Sequence, residues 1–84
     1  MQYIPLTLSQ NNRIFVNMNS LAIIGLNIYT RRKELGYSQE KLALEAGLDR
    51  TYIPKVEKGK INITINSLEK IAKALGVKLI DLLK

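Results

Sequence analysis

From Asn19 onward, apolar residues return every three or four positions. Leu21, Ile24, Ile28 and Leu35 form one series, Leu42 and Ala43 a second, and Ile53 and Val56 a third. Leu68, Ile71, Ala72 and Leu75 form a fourth, and this spacing is the period of helices buried along one side. Each series is closed by a glycine, at Gly36, Gly47, Gly59 and Gly76, the residue best able to take the left-handed turn that ends a helix. Suitable caps precede them. Asn19 or Ser20 opens the first helix, Ser38 with Glu40 near its dipole the second, and Asp49 the third. The fourth opens at Thr64 or at Asn66, the latter with Glu69 three residues on in the manner of a capping box. Lys60 to Ile65 should be an extended connection and Leu79 to Lys84 a short fifth helix. The pattern predicts an all-α, five-helix domain over residues 19–84, without internal repeats.

Residues 1–18 break the rhythm. Tyr3, Ile4, Leu6 and Leu8 stand before a Ser9-Gln10-Asn11-Asn12 segment of turn chemistry, and Ile14, Phe15 and Val16 follow it. This N-terminal arm reads either as a short β-hairpin or as a leader without fixed structure. A two-stranded hairpin is marginal alone in water, so it would have to pack on the helices or on a second subunit. The arm carries a single charge, Arg13, and no candidate chemistry.

Composition narrows the function. Eighty-four residues make one domain with a modest core. A net charge of +6 and an isoelectric point near 9.8 suit a polyanionic partner. Cysteine and histidine are both absent, which excludes disulfides, thiolate chemistry, histidine general bases and ordinary zinc sites. No apolar run is long enough to span a membrane, and the first residues do not have the order of a signal peptide, so a cytoplasmic location is expected. Glu34, Glu40, Glu45, Glu69 and Asp81 fall on exposed helix positions or caps, with no base, nucleophile or metal ligand beside them. Neither an enzyme, a cofactor, a metal nor a small-molecule ligand is expected.

The chemistry gathers between Ser38 and Gly59. Two short helices joined through Gly47 are the sequence form of a helix-turn-helix, whose second helix enters a major groove. On a wheel of that helix Ile53, Val56 and Glu57 share one side, Thr51, Lys55 and Lys58 lie opposite, and Arg50 and Tyr52 flank them. Residues at the start of such a helix reach base edges, which makes Arg50, Thr51, Tyr52 and Lys55 the candidate base contacts. Arg50 can pair bidentately with guanine, and Thr51 offers a methyl and a hydroxyl. Gln39, at the first turn of the second helix, together with Lys41, Lys58, Lys60 and Asn62, are candidate phosphate contacts. An ordinary solvated polar face is the alternative for each.

Arg32 and Glu57 require a different role. Each lies four residues beyond a core position, Ile28 and Ile53, on the apolar side of its helix. Opposite charges on facing buried stripes should pair, because either alone would be costly inside; DNA contact by Arg32 is the alternative. Pro54, the fifth residue after an Asp49 cap, would cost a hydrogen bond to the Arg50 carbonyl. Either the helix kinks there or its first turn is displaced.

The framework of Arg32, Gln39, Leu42-Ala43, Gly47, Ile53, Glu57, Gly59 and Leu75-Gly76-Val77 resembles the Cro and phage-repressor helix-turn-helix superfamily. Within it, Leu48-Asp49-Arg50-Thr51-Tyr52-Ile53 is similar to the controller proteins of restriction–modification systems. That resemblance implies a recognition helix headed by Arg50-Thr51-Tyr52 and a homodimer on palindromic operators upstream of its own gene. It further implies activation, then repression at higher occupancy, of that gene and of the endonuclease gene. The chain departs from the controller pattern at Pro54, where serine is usual, and preserves only partly, as Lys60-Ile61-Asn62, the basic residue and asparagine after the turn. Val77, Leu79, Ile80, Leu82 and Leu83 exceed what a short terminal helix can bury against one small domain, so they are the candidate dimer interface. An antitoxin or phage-type repressor, or a protein-interaction module on the same fold, are the competing readings.

Overall fold

The computed structural model describes the backbone of residues 13–84 and the side chains of residues 20–84. In chain order the helices are α1 (Arg13–Glu34), α2 (Gln39–Ala46), α3 (Tyr52–Glu57), α4 (Ile65–Leu75) and α5 (Leu79–Leu83). The first is longer than the periodicity indicated: Asn19 and Ser20 lie inside it rather than capping it. The backbone of Ile14, Phe15 and Val16 falls within α1, and the rest of the arm read as a hairpin or a leader lies outside the described residues.

The caps expected of α2 and α4 form, whereas the cap position of α3 falls at Thr51 rather than Asp49. Ser38 is extended and its hydroxyl accepts from the Lys41 amide at 3.0 Å. Gly47 closes α2 at φ 69°, bonding back to the Ala43 and Leu44 carbonyls. Of the two candidates before α4, Thr64 is the cap and accepts from the Ser67 amide at 3.1 Å, leaving Asn66 in the first turn. Asp81 reaches back to the Lys78 amide at 3.0 Å and secures the start of α5.

One core joins all five helices. Ile28, Leu42, Ile53, Leu68, Ile71, Leu75 and Leu82 are fully buried, with Ala43, Ala46, Val56 and Ala72 filling between them. α1 crosses α3, α4 and α5, while α2 packs on α3 and α4. Polar side chains of α1 tie down two other helix ends: Arg31 Nε donates to the Leu75 carbonyl and Asn27 Nδ2 to the Leu82 carbonyl, both at 3.0 Å.

Leu82 corrects an expectation. At 1% exposure it belongs to the core of the single chain and is not available to a partner. Val77 and Leu79 are half-buried against the same core, whereas Ile80 and Leu83 are 56% and 42% exposed. The helical period explains the split, since on so short a helix only one of the terminal leucines can turn inward.

Gly25 sets the distance between α1 and α3. A side-chain carbon there would lie 2.5 Å from the Glu57 carbonyl oxygen and 2.6 Å from that of Val56. Only a glycine lets the end of α3 come this close to α1.

Candidate nucleic-acid interface

The third helix is held from below and open above. Ile53 and Val56 are buried, while Thr51, Lys55 and Lys58 on the opposite side are exposed, as the wheel predicts. Tyr52 is half-buried and packs against the core. Pro54 is accommodated by a displaced start. The helix proper begins at Tyr52, with Thr51 at its cap position, which places Pro54 in the first turn. An amide there has no partner within the helix, so proline costs no hydrogen bond. Of the two expected outcomes, the displaced first turn is the one found.

The segment leading into α3 is organised by Asp49. Its Oδ1 accepts from the Thr51 amide at 2.8 Å and from the Thr51 hydroxyl at 2.7 Å. Its backbone carbonyl accepts from the Tyr52 amide at 3.0 Å. Asp49 thus turns the chain into the helix, as a cap does, although from two residues before Thr51. The bonds from the Thr51 amide and hydroxyl hold its carboxyl below the usual range against a smaller opposing effect of desolvation, and the nearby Arg50 and Lys55 charges add a lesser lowering.

Arg50 and Glu40 pair across the turn, with Nη1 to Oε2 at 2.7 Å and both side chains largely exposed. An exposed pair of this kind contributes about 0–1 kcal/mol, so it parks the guanidinium at the head of α3 without fixing it. Lys41 pairs with Glu45 one helical turn on, at 3.1 Å. Lys55, Lys58 and Lys60 carry no ion pair among the described residues, and Asn62 is exposed in the following loop. Asp49 and Glu40 thus bring negative charge to the head of α3, whereas Lys58 and Lys60 at its other end face solvent without an ion pair among the described residues.

Beneath this face lies the Arg32–Glu57 pair. Arg32 Nε meets Glu57 Oε2 at 2.6 Å and Nη2 meets Oε1 at 3.1 Å, with the side chains only 7% and 6% exposed. Arg32 Nη1 donates to the Tyr37 carbonyl at 2.8 Å, and the guanidinium carbon lies 5.3 Å from the centre of the Tyr29 ring. Gln39 Nε2 donates to Glu57 Oε1 at 3.0 Å. The pair predicted from the two apolar stripes is present, and it draws in Gln39, expected only as a phosphate contact. One amide hydrogen of Gln39 is used internally, which locks the side chain at the start of α2 and leaves the second available. The carboxylate of Glu57 thereby ties α1, α2 and α3 at a single point.

The candidate base contacts Arg50, Thr51 and Lys55 come together at the head and exposed side of α3, with Tyr52 on its flank. Lys58, Lys60 and Asn62 lie beyond its other end, and Gln39 and Lys41 on α2. Sequence reasoning missed the grip of Asp49 on Thr51, the Glu40 partner of Arg50 and the contact at Gly25. The last had a signal, since a glycine inside a helical pattern usually marks a close approach. The other two depend on side-chain directions that periodicity does not carry.

Comparison with known proteins agrees with this arrangement. A helix-turn-helix family model matches residues 28–82. The control protein C.BamHI of Bacillus amyloliquefaciens is 51% identical over 53 residues, covering 63% of this chain and 65% of that protein. The crystal structure of the restriction–modification controller C.AhdI of Aeromonas hydrophila superposes with a TM-score of 0.74 at 36% identity, over 76% of this chain and 97% of that one. The Bacillus subtilis biofilm regulator SinR, solved in complex with DNA, gives a TM-score of 0.70 at 39% identity, over 73% and 98%. The matched segment spans 58% and 65% of the length of two curated relatives, under two thirds in each. The chain belongs to the helix-turn-helix family, and restriction–modification controllers are among the members it is similar to.

Proposed function

We propose that this protein is a sequence-specific DNA-binding regulator of transcription that acts on restriction–modification genes as a homodimer on palindromic operators. The observation that carries the reading is the exposed side of α3. Lys55 projects from a helix anchored by Ile53, Val56 and the buried Glu57 side chain, with Arg50 and Thr51 exposed just before it and Lys58 just after it. A rigid helix with donors at its head and lysines along its length suits a major groove, where arginine distinguishes guanine and lysine neutralises phosphate. Likeness to control proteins and to a regulator solved on DNA supports the same reading.

Dimerisation rests on Ile80 and Leu83, the exposed apolar residues of α5, with half-buried Val77 and Leu79 beside them. A two-fold axis through that face would repeat the recognition helix about 34–36 Å away, one turn of DNA. The role is binding rather than catalysis, and the place of action is the cytoplasm, with DNA; no helix among the described residues is long and apolar enough to cross a membrane.

Selection of duplexes from a random pool by the purified protein tests the reading. Two inverted half-sites with centres one turn apart, and two subunits per duplex by sedimentation, are expected. Failure to enrich any sequence would overturn it.

A further inference from the structure

The head of α3 holds a hydrogen bond whose direction is fixed by charge. An ionised carboxylate has only acceptors, so the contacts at 2.7 Å and 2.8 Å on Asp49 Oδ1 must be donated by the Thr51 hydroxyl and amide. A threonine hydroxyl has one hydrogen. With it committed to Asp49 in a short, charge-assisted bond, Thr51 faces outward with oxygen lone pairs and a methyl group only. We propose that Asp49 is a positioning residue for base recognition, holding Thr51 as a hydrogen-bond acceptor so that it reads the exocyclic amino group of adenine or cytosine. This rests on the DNA-binding reading above.

The consequence is a choice of polarity. In the major groove adenine N6 and cytosine N4 donate, whereas thymine O4 and guanine O6 and N7 accept. A free threonine hydroxyl could rotate to suit either kind. Held by Asp49, its oxygen meets an amino group favourably and sets two acceptors against each other at a carbonyl. Arg50, one residue earlier, carries donors only. Adjacent side chains at the head of α3 thus have opposite hydrogen-bonding character: Arg50 for guanine, Thr51 for an amino-bearing base. Asp49 itself is exposed and its backbone continues into the turn, so the device does not depend on burial.

The test uses the selected duplex and its deaminated counterpart, with hypoxanthine for adenine or uracil for cytosine at the position where Thr51→Val loses discrimination. Deamination exchanges the amino group for a carbonyl and turns the pair into a wobble, a distortion that wild type and Asp49→Ala meet alike, so the difference between their losses is what reports on Thr51. Wild-type protein should lose about tenfold in affinity on the deaminated duplex, the scale of one mismatched contact. Asp49→Ala, which frees the hydroxyl, should lose less than about threefold. Asp49→Asn should restore the wild-type penalty, because its amide oxygen still accepts from Thr51. In the Thr51→Val background Asp49→Ala still removes the bond to the residue 51 amide and can weaken all duplexes alike, but it should change the ratio between selected and deaminated duplexes no further. An undiminished penalty in Asp49→Ala overturns the proposal. So does an equal weakening on selected, deaminated and random duplexes, which would mean that Asp49 only shapes the turn. A loss of discrimination that persists in the Thr51→Val background overturns it as well, since Asp49 would then read the base itself. Absence of any selected sequence for the wild-type protein is a separate failure, of the DNA-binding reading, and is seen before any variant is made.

Discussion

Replacing Glu57 by alanine should remove more stability than any other single surface-to-core ion-pair change in this fold. The carboxylate is 6% exposed and accepts from Arg32 Nε, Arg32 Nη2 and Gln39 Nε2. Without it, the Arg32 guanidinium keeps the Tyr37 carbonyl as its remaining hydrogen-bond acceptor. Stranding a buried charge in this way costs about 3–5 kcal/mol. A small domain is stable by about 0.05–0.15 kcal/mol per residue, so much of its total would be lost. At about 4–8 °C per kcal/mol for a domain of this size, the melting temperature should fall by roughly 12 °C or more. Thermal and urea unfolding followed by circular dichroism would measure it. The paired replacement Arg32→Met with Glu57→Leu separates the causes, because removing both charges also removes the desolvation penalty. That double variant should recover most of the stability lost by Glu57→Ala. If Glu57→Ala melts within about 2 °C of wild type, a shift of under half a kcal/mol, the pair is not the tie point of the three helices.

Three other changes probe other parts of the molecule. Gly25→Ala drives a carbon to 2.5 Å from a backbone oxygen of α3 and should cost about 1–3 kcal/mol or more in urea unfolding; an unchanged midpoint would deny the close crossing. Lys58→Ala should weaken selected and random duplexes alike and lower the salt slope of binding by about one per subunit, so a loss confined to the selected site would contradict its role at phosphate. Ile80→Asp places a charge on a residue 56% exposed on α5 and should yield a folded monomer by sedimentation at micromolar concentration, whereas an intact dimer would move the interface elsewhere.

The sequence carried the fold because its signals were redundant. At α2, apolar spacing, the Ser38 cap and Gly47 all agreed, and the helix formed between them. Arg32 and Glu57 were legible for a similar reason: a charge on an apolar stripe needs a partner, and each stripe supplied one. Leu82 was misassigned because the count of apolar residues on α5 was right but their directions were not, and a five-residue helix is too short for a pattern to separate the two sides. The start of α1 was misplaced because asparagine and serine cap helices often and also occur within them. Pro54 showed that a local conflict existed without showing its resolution. Of the two outcomes open, the later start is the one that puts Pro54 in the first turn, where its missing amide hydrogen costs nothing.

The most direct test of the account is competition binding of wild-type protein and Arg50→Ala against the selected duplex and random duplexes, across a range of salt. Arg50 stands at the head of α3, held only by an exposed pair with Glu40, and is free to turn to a guanine edge. The account predicts steeply salt-dependent binding, and a loss for Arg50→Ala of about 1–3 kcal/mol on the selected duplex with little change on random DNA. Equal losses on both would make Arg50 a phosphate contact, and binding indifferent to salt and sequence would contradict the reading of α3 as a recognition helix.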